Sequence, residues 1–371
     1  MAGIYVHIPF CKSRCIYCAF YSTTDGDERQ RYIDALCHEA LMRPTPDTIE
    51  TIYLGGGTPS QLTTLQLQQL FDCLYHTYKV SNTAEITIEV NPDDVTADFA
   101  RALPQLGINR VSMGAQTFDD RRLRFLHRRH SASQVTTAVE SLRQAGINNI
   151  SIDLMYGFPE ESLSDWRNDL NHALDLNVEH LSAYCLMIEE GTMLYHQLSV
   201  KGADFGVDEE TERQMYELLI DCLTSAGYEH YELSNFARPG RRSRHNSSYW
   251  TGIPYIGLGA AAHSYDGHRR SWNPDDLHYY IKGIKDGTLQ REGEELDEST
   301  RYNDRITVAL RTCEGLCLDE LSAYHRNYLL RSARRYIDDG LLTLEGNSLH
   351  LSRKGLFVSD MVMADLMLVE D

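Results

Sequence analysis

Positive charge is scarce in this chain. Its 371 residues hold 35 lysines and arginines against 54 aspartates and glutamates, a formal net charge of −19. A protein that grips nucleic-acid phosphates leans basic, so nucleic acid is not expected as its main ligand. The acidity reads instead as a source of solubility. No apolar run is long enough to span a bilayer, so no integral membrane segment is expected. The opening residues, MAGIYVHIPFCKSRC, lack a basic stretch followed by an apolar one, so no signal peptide is expected. The nine cysteines are an odd number spread over a long chain, unlike the dense framework of a small secreted domain. Three of them crowd into positions 11 to 18, where an oxidising compartment would endanger them. A cytoplasmic location is therefore expected, with peripheral contact at a membrane left open. Internal repeats and low-complexity tracts are absent as well.

What is present is 42% hydrophobic residues and a length that suits one large α/β domain plus a smaller one. Short apolar strands alternate with helical segments, the mark of a parallel sheet with crossover helices. The expected strands are Ile4 to Ile8, Thr51 to Leu54, Glu85 to Val90, Arg110 to Met113, Ile150 to Leu154 and His180 to Cys185. The expected helices between them are Glu28 to Leu41, Thr64 to Tyr78, Thr96 to Leu106, Ser131 to Ala145 and Leu163 to Leu174. The pairs Leu106-Gly107 and Ala145-Gly146 supply left-handed helix caps. Six such units fall short of a closed eight-fold barrel, so the expected class is α/β, a partial, open (β/α)6 TIM-type barrel. Residues 189 to 211 read as irregular, Met215 to Ala226 as a helix, Ser234 to Asn273 as loops, and Asp286 to Thr300 as an acidic linker. Helical patterns and a hairpin about Gly346-Asn347 then suggest a small winged-helix-like α+β module. The implied divisions are 1–230, 231–295 and 296–371.

Cys11, Cys15 and Cys18 form C-x3-C-x2-C directly after the first strand. Thiolates are the soft ligands that iron–sulfur clusters need. Three of them leave one iron of a [4Fe-4S] cube without a protein ligand. The competing reading is zinc, which normally takes four ligands. His7 could be the fourth, but its place in a strand suits packing. The remaining cysteines, at 37, 73, 185, 222, 313 and 317, read as ordinary buried thiols.

YVHIPFCKSRCIYC is followed in order by YLGGGTPS, TIEVNPDD, VSMGAQTF, SIDLMYGFP and HNSSYW. From Tyr5 to its end, the chain resembles the HemW haem-chaperone branch of the oxygen-independent coproporphyrinogen III oxidase (HemN-like) radical S-adenosylmethionine (SAM) family. The resemblance implies that SAM occupies the open iron. It also implies that Tyr5, Tyr17, Gly56, Gly57, Thr58, Glu89, Gln116, Arg128 and Asp153 contact SAM, with Tyr17 stacking on adenine. Glu89, Gln116 and Asp153 end successive strands, at the barrel mouth where active sites sit. The Gly55-Gly56-Gly57 run lets a backbone approach a ligand closely, and it lacks the Lys-Ser/Thr of a phosphate loop.

The oxidase branch carries a further cysteine two residues after the third. Here Phe20 stands there, after Ala19, and this departure weighs against coproporphyrinogen decarboxylation. His245-Asn246-Ser247-Ser248-Tyr249-Trp250 matches the H-N-x-x-Y-W motif tied to haem in the HemW branch. The resemblance implies haem iron on His245, with Asn246, Tyr249 and Trp250 around the macrocycle. Arg238, Arg241, Arg242 and Arg244 are candidates for its propionates. Gly257-Leu258-Gly259 formally fits a dinucleotide fingerprint, but no βαβ unit surrounds it. It resembles a family segment that closes over the SAM pocket, which makes His263 a weaker candidate. The implied function is haem delivery to apo-haemoproteins, respiratory and membrane-associated ones among them, with homodimerisation left open. The alternatives are a radical enzyme acting on coproporphyrinogen or another tetrapyrrole, and a winged-helix regulator with a sensing cluster.

Overall fold

The computed structural model describes residues 2–201 and 206–369. Six strands, β1 (Ala2–Ile8), β2 (Ile49–Gly56), β3 (Val80–Val90), β4 (Arg110–Gln116), β5 (Ile150–Tyr156) and β6 (His180–Cys185), run parallel in sequence order. Between them lie α1 (Arg29–Met42), α2 (Thr64–Thr77), α3 (Ala97–Gln105), α4 (Asp120–Phe125), α5 (Ala132–Gln144) and α6 (Leu163–Asp175). Local chemistry sets their ends. Thr63 with Gln66, Ser131 with Gln134 and Ser162 with Asp165 form reciprocal capping boxes at α2, α5 and α6. Gly107 and Gly146 follow α3 and α5 at φ of 82° and 91°, the left-handed turn that glycine tolerates.

The strands alternate in character. Ile4, Val6, Ile8, Ile52, Leu54, Ile86, Ile88, Val111, Met113, Ile152, Leu154 and Leu181 are buried in the main core with apolar residues of the helices. The intervening set is Tyr5, Thr51, Tyr53, Glu85, Thr87, Glu89, Arg110, Ser112, Ser151, Asp153, His180, Ser182 and Tyr184. Period-two alternation puts those on the other face of the sheet, the inside of the open barrel.

The irregular region expected at 189–211 contains α7 (Met193–Lys201) and the start of α8 (Glu209–Ser225); residues 202–205 of it lie outside the described residues. The loops expected at Ser234 to Asn273 are a correction too. This stretch holds β8 (Asn235–Ala237), which pairs with β7 (Glu229–Glu232), then α9 (Arg244–Trp250), β9 (Tyr255–Leu258), β10 (His263–Tyr265) and β11 (Arg269–Trp272). Elements of three to seven residues are too short to show a period. After α10 (Leu277–Asp286), the expected linker contributes β12 (Glu292–Glu295). These strands extend the sheet at both edges to twelve: β9 lies parallel beside β1, and β8 antiparallel beside β6. The small module has its own core, built by α11 (Glu298–Ala309), β13 (Leu316–Cys317), α12 (Ala323–Asp338), the hairpin β14 (Leu342–Glu345) and β15 (Ser348–Leu351), and α14 (Ser359–Leu366), while Leu356 of α13 (Arg353–Leu356) packs against the main core. Among the described residues no helix is long and apolar enough to cross a membrane.

Glu39 on α1 ties the late strands to the barrel. Its fully buried carboxylate accepts from Gly259 N (2.8 Å), Tyr280 Oη (2.7 Å), Asn273 Nδ2 (2.9 Å) and Arg291 Nη2 (2.9 Å). Truncation strands these donors away from water. Glu39→Ala is expected to cost about 3 kcal/mol, seen as a lower urea midpoint at unchanged slope.

Candidate functional site

The loop between β1 and α1 carries the three cysteines across the C-terminal ends of the strands. Cys11 N donates to Thr23 O (2.8 Å), and Cys11 Sγ lies 3.4 Å from Thr58 Oγ1. Cys15 Sγ accepts from Arg128 Nη1 at 3.5 Å. The loop is held from the far side as well, since Ile16 N donates to Leu126 O and Leu194 N, on α7, donates to Ile16 O. All nine cysteines are free thiols. Among the described residues no three His, Cys, Asp or Glu side chains converge tightly enough for a single metal ion. A cube-shaped cluster asks for something else, one thiolate at each of three separate irons, and three half-buried thiols on one loop suit it. His7 is no fourth ligand, because its Nδ1 meets Tyr5 Oη and its Nε2 meets Tyr21 O, each at 3.0 Å.

Glycines 55 to 57 have a packing reason that sequence reading did not supply. A Cβ on Gly56, whose φ is 107°, would stand 2.5 Å from the His7 ring. One on Gly57 would stand 2.7 Å from the Pro9 carbonyl carbon. The glycines let the end of β2 press against the start of the cysteine loop. Below them, Glu89 accepts from Tyr53 Oη (2.7 Å) and Gly56 N (3.1 Å). Arg128 Nη2 donates to Asn91 Oδ1 (2.7 Å) and to Gly114 O, while its Nε is buried without a partner. Gln116 ends β4 with φ at 68°, a left-handed backbone that a non-glycine residue holds only under local constraint. Tyr17 packs beside two small apolar clusters around Ile16 and Leu126. Burial pushes the Glu89 carboxyl up to about 7 and that of Asp153 up to about 6. Cysteine loop, glycine turn, Glu89, Gln116, Arg128 and Asp153 thus share the C-terminal half of the barrel.

The HNSSYW segment lies at the opposite end. It forms α9, and the backbone N–H groups of Arg244 and His245 donate to Glu85 at the start of the core part of β3. The His245 ring is fully buried. Its Nδ1 meets Thr51 Oγ1 at 2.8 Å, and its Nε2 meets Tyr249 Oη at 2.9 Å. It stacks on Tyr53 at 5.1 Å, and burial takes it down to about 3, so the ring is neutral. The helix closes the barrel floor, with both ring nitrogens of His245 hydrogen-bonded. Asn246 is half-buried on the same helix, and the Trp250 ring lies under the Arg311 guanidinium at 5.4 Å.

Three of the four arginines already have partners. Arg238 stacks on Tyr228, Arg242 pairs with Glu229 and Glu314, and Arg244 pairs with Glu50; Arg241 remains exposed. The His263 ring stacks on Trp272 in the late strands. A residue that sequence reading missed is Arg110, only 1% exposed inside the barrel, with Nε and Nη1 unpartnered. The signal for it was available in the polar beat of the predicted strands.

A model of the radical SAM superfamily matches residues 5–173, and one of the HemN C-terminal domain matches residues 296–358. The chain is 36% identical over 322 residues to the "Heme chaperone HemW" of Bacillus subtilis, covering 85% of each. It is 34% identical to the protein of that name from Mycobacterium tuberculosis, covering 98% of this chain and 94% of the other. The coproporphyrinogen III oxidase (HemN) of Escherichia coli superposes with a TM-score of 0.86 at 24% identity, covering 99% of this chain and 90% of that one, which shows a shared fold.

Two outcomes follow from the site. A carboxyl raised by burial is protonated in the fold at a pH where it is ionised in the unfolded chain. Its contribution is therefore present below its ordinary value of 4.5 and is lost as pH rises through 7. Glu89→Gln has no charge to bury, so its stability relative to the parent should increase from pH 5 to 7.5 in denaturant titrations. His245→Ala removes two buried hydrogen bonds and a ring, and should cost about 2–4 kcal/mol in the same measurement.

Proposed function

Because the chain belongs to the HemW family of radical SAM proteins, we propose that it is a haem chaperone, binding haem and passing it to apo-haemoproteins such as respiratory enzymes. Cys11, Cys15 and Cys18 would hold a [4Fe-4S] cluster in the reducing cytoplasm, with SAM at the fourth iron. A reduced cluster of this kind supplies an electron to the sulfonium of SAM. The chain's own part is to bind and orient. Gly56, Gly57 and Thr58 offer backbone and hydroxyl groups beside the cysteine loop. Glu89 and Asp153 are acceptors for the ammonium and hydroxyl groups of SAM, Gln116 and Arg128 are donors, and Tyr5 and Tyr17 are flat faces. The observation that carries this reading is the gathering of these residues under the cysteine loop, with Phe20 where a decarboxylating relative has cysteine.

The haem part draws its support from the relatives' names and from the HNSSYW segment with its candidate groups His245, Asn246, Tyr249 and Trp250. The test is anaerobic reconstitution with iron and sulfide. The parent and Cys37→Ala should take up four irons with the broad visible absorption of a cluster. Cys11→Ala, Cys15→Ala and Cys18→Ala should each lose most of it. SAM should change the electron paramagnetic resonance of the reduced cluster, and haemin should give a saturable Soret band. Release of CO2 from coproporphyrinogen III would overturn the chaperone reading in favour of the oxidase.

A further inference from the structure

Two of the cysteines outside the cluster loop face each other. The crossover helices α1 and α2 follow β1 and β2 and pack side by side. A line of ties fixes their register. Gln30 Nε2 donates to Gln69 Oε1, and Gln69 Nε2 donates to Asp34 Oδ1, each at 2.8 Å. Past the end of α2, Tyr78 Oη meets Ala40 O at 3.2 Å and Arg43 O at 3.1 Å. Cys37 and Cys73 lie between these ties. Cys73 Sγ is 3.5 Å from Cys37 O. Cys37 Sγ is 3.9 Å from Gln69 O, about one helical turn before Cys73. The two thiols also hydrogen-bond to each other, which draws Cys73 below the ordinary thiol range and pushes Cys37 above it.

A disulfide needs two sulfurs at close range on backbones that can stay in place. The thiol contact supplies the first condition and the register ties supply the second. Both cysteines are half-buried, so a small solute can reach the seam, while Leu36, Leu70 and Leu74 close the core behind it. Cys222 and Cys313 are placed differently, with Arg167 Nη1 at 4.0 Å and Arg242 Nη2 at 3.5 Å. We propose that Cys37 and Cys73 are a redox modification site, a reversible disulfide between α1 and α2 made at the expense of a low-molecular-weight disulfide. The Cys73 thiolate attacks one sulfur of the small disulfide, whose S–S bond breaks and releases one thiolate. The Cys37 thiolate then attacks the Cys73 sulfur of the mixed disulfide and expels the second. Two protein thiols are oxidised, the small disulfide is reduced to two thiols, and these take up the two protons. The bridge ties the helix after the cysteine loop to the helix after the glycine turn. It consumes none of Cys11, Cys15 and Cys18.

The test is anaerobic incubation of cluster-reconstituted full-length protein with glutathione disulfide. An acid quench, N-ethylmaleimide in denaturant, trypsin and mass spectrometry follow, with iron content and circular dichroism as controls on loading and folding. Cleavage after Arg31 and Lys79 gives a fragment that holds Cys37 and Cys73 and no other cysteine, since Arg43 precedes Pro44. In the parent this fragment should lose two hydrogens and take no maleimide, and dithiothreitol should restore both thiols. Cys37→Ser should stop at a glutathione adduct on Cys73. Cys73→Ser should react roughly tenfold more slowly. The oxidised parent should need more urea to unfold than the reduced parent, a gap that both variants lack. If the parent's fragment still takes two maleimides, or is bridged only when the protein is incubated in urea, the thiols are packing groups and the proposal fails. An adduct that forms first on Cys37 would overturn the order of attack.

Discussion

A sheet that is apolar on one face and polar on the other cannot collapse onto itself, and this constraint governs the molecule. The apolar faces of β1 to β6 take the helices. The inner faces carry Glu85, Glu89, Arg110, Asp153 and His180, groups that pack only with partners of their own kind. The barrel therefore stays open, and its two ends must be finished separately. At the floor, Glu85 accepts two backbone N–H groups from the first turn of α9, and His245 joins Thr51 to Tyr249. At the mouth, the cysteine loop and α7 lie across the strand ends.

Much of this could be read in the residues. The six central strands and their helices were legible because their periods are long and their caps are explicit. The cysteine trio was legible because its spacing is rare and its place after a first strand is meaningful. What escaped was built from pieces too short for a period, such as β8 and α9, and from contacts that couple distant residues. Nothing near Glu39 announces that Gly259, Asn273, Tyr280 and Arg291 will meet it. The polar beat within the strands was legible in principle. Thr51, Tyr53 and Gly55, or Glu85, Thr87 and Glu89, show it once one asks what the second face of each strand must touch.

Residue types alone leave the role of the HNSSYW segment open. Histidine, tyrosine and tryptophan suit a haem pocket, but the same groups suit a helix that must close a polar barrel. In this structure His245 braces Thr51 to Tyr249, and burial keeps its ring neutral. The cysteine loop lies at the other end of the barrel, across the strand ends.

Arg110 connects the two ends electrostatically. Its guanidinium is among the largest fully buried groups, and two of its nitrogens have no partner. Its positive charge opposes the upward push of burial on Glu89 and Asp153, and it adds to the downward push on His180 and His245. Arg110, joined by Arg128 beside Asp153, thus favours ionised carboxyls toward the mouth, and Arg110 favours neutral imidazoles toward the floor. That division suits a barrel that offers acceptors at one end and a closed floor at the other.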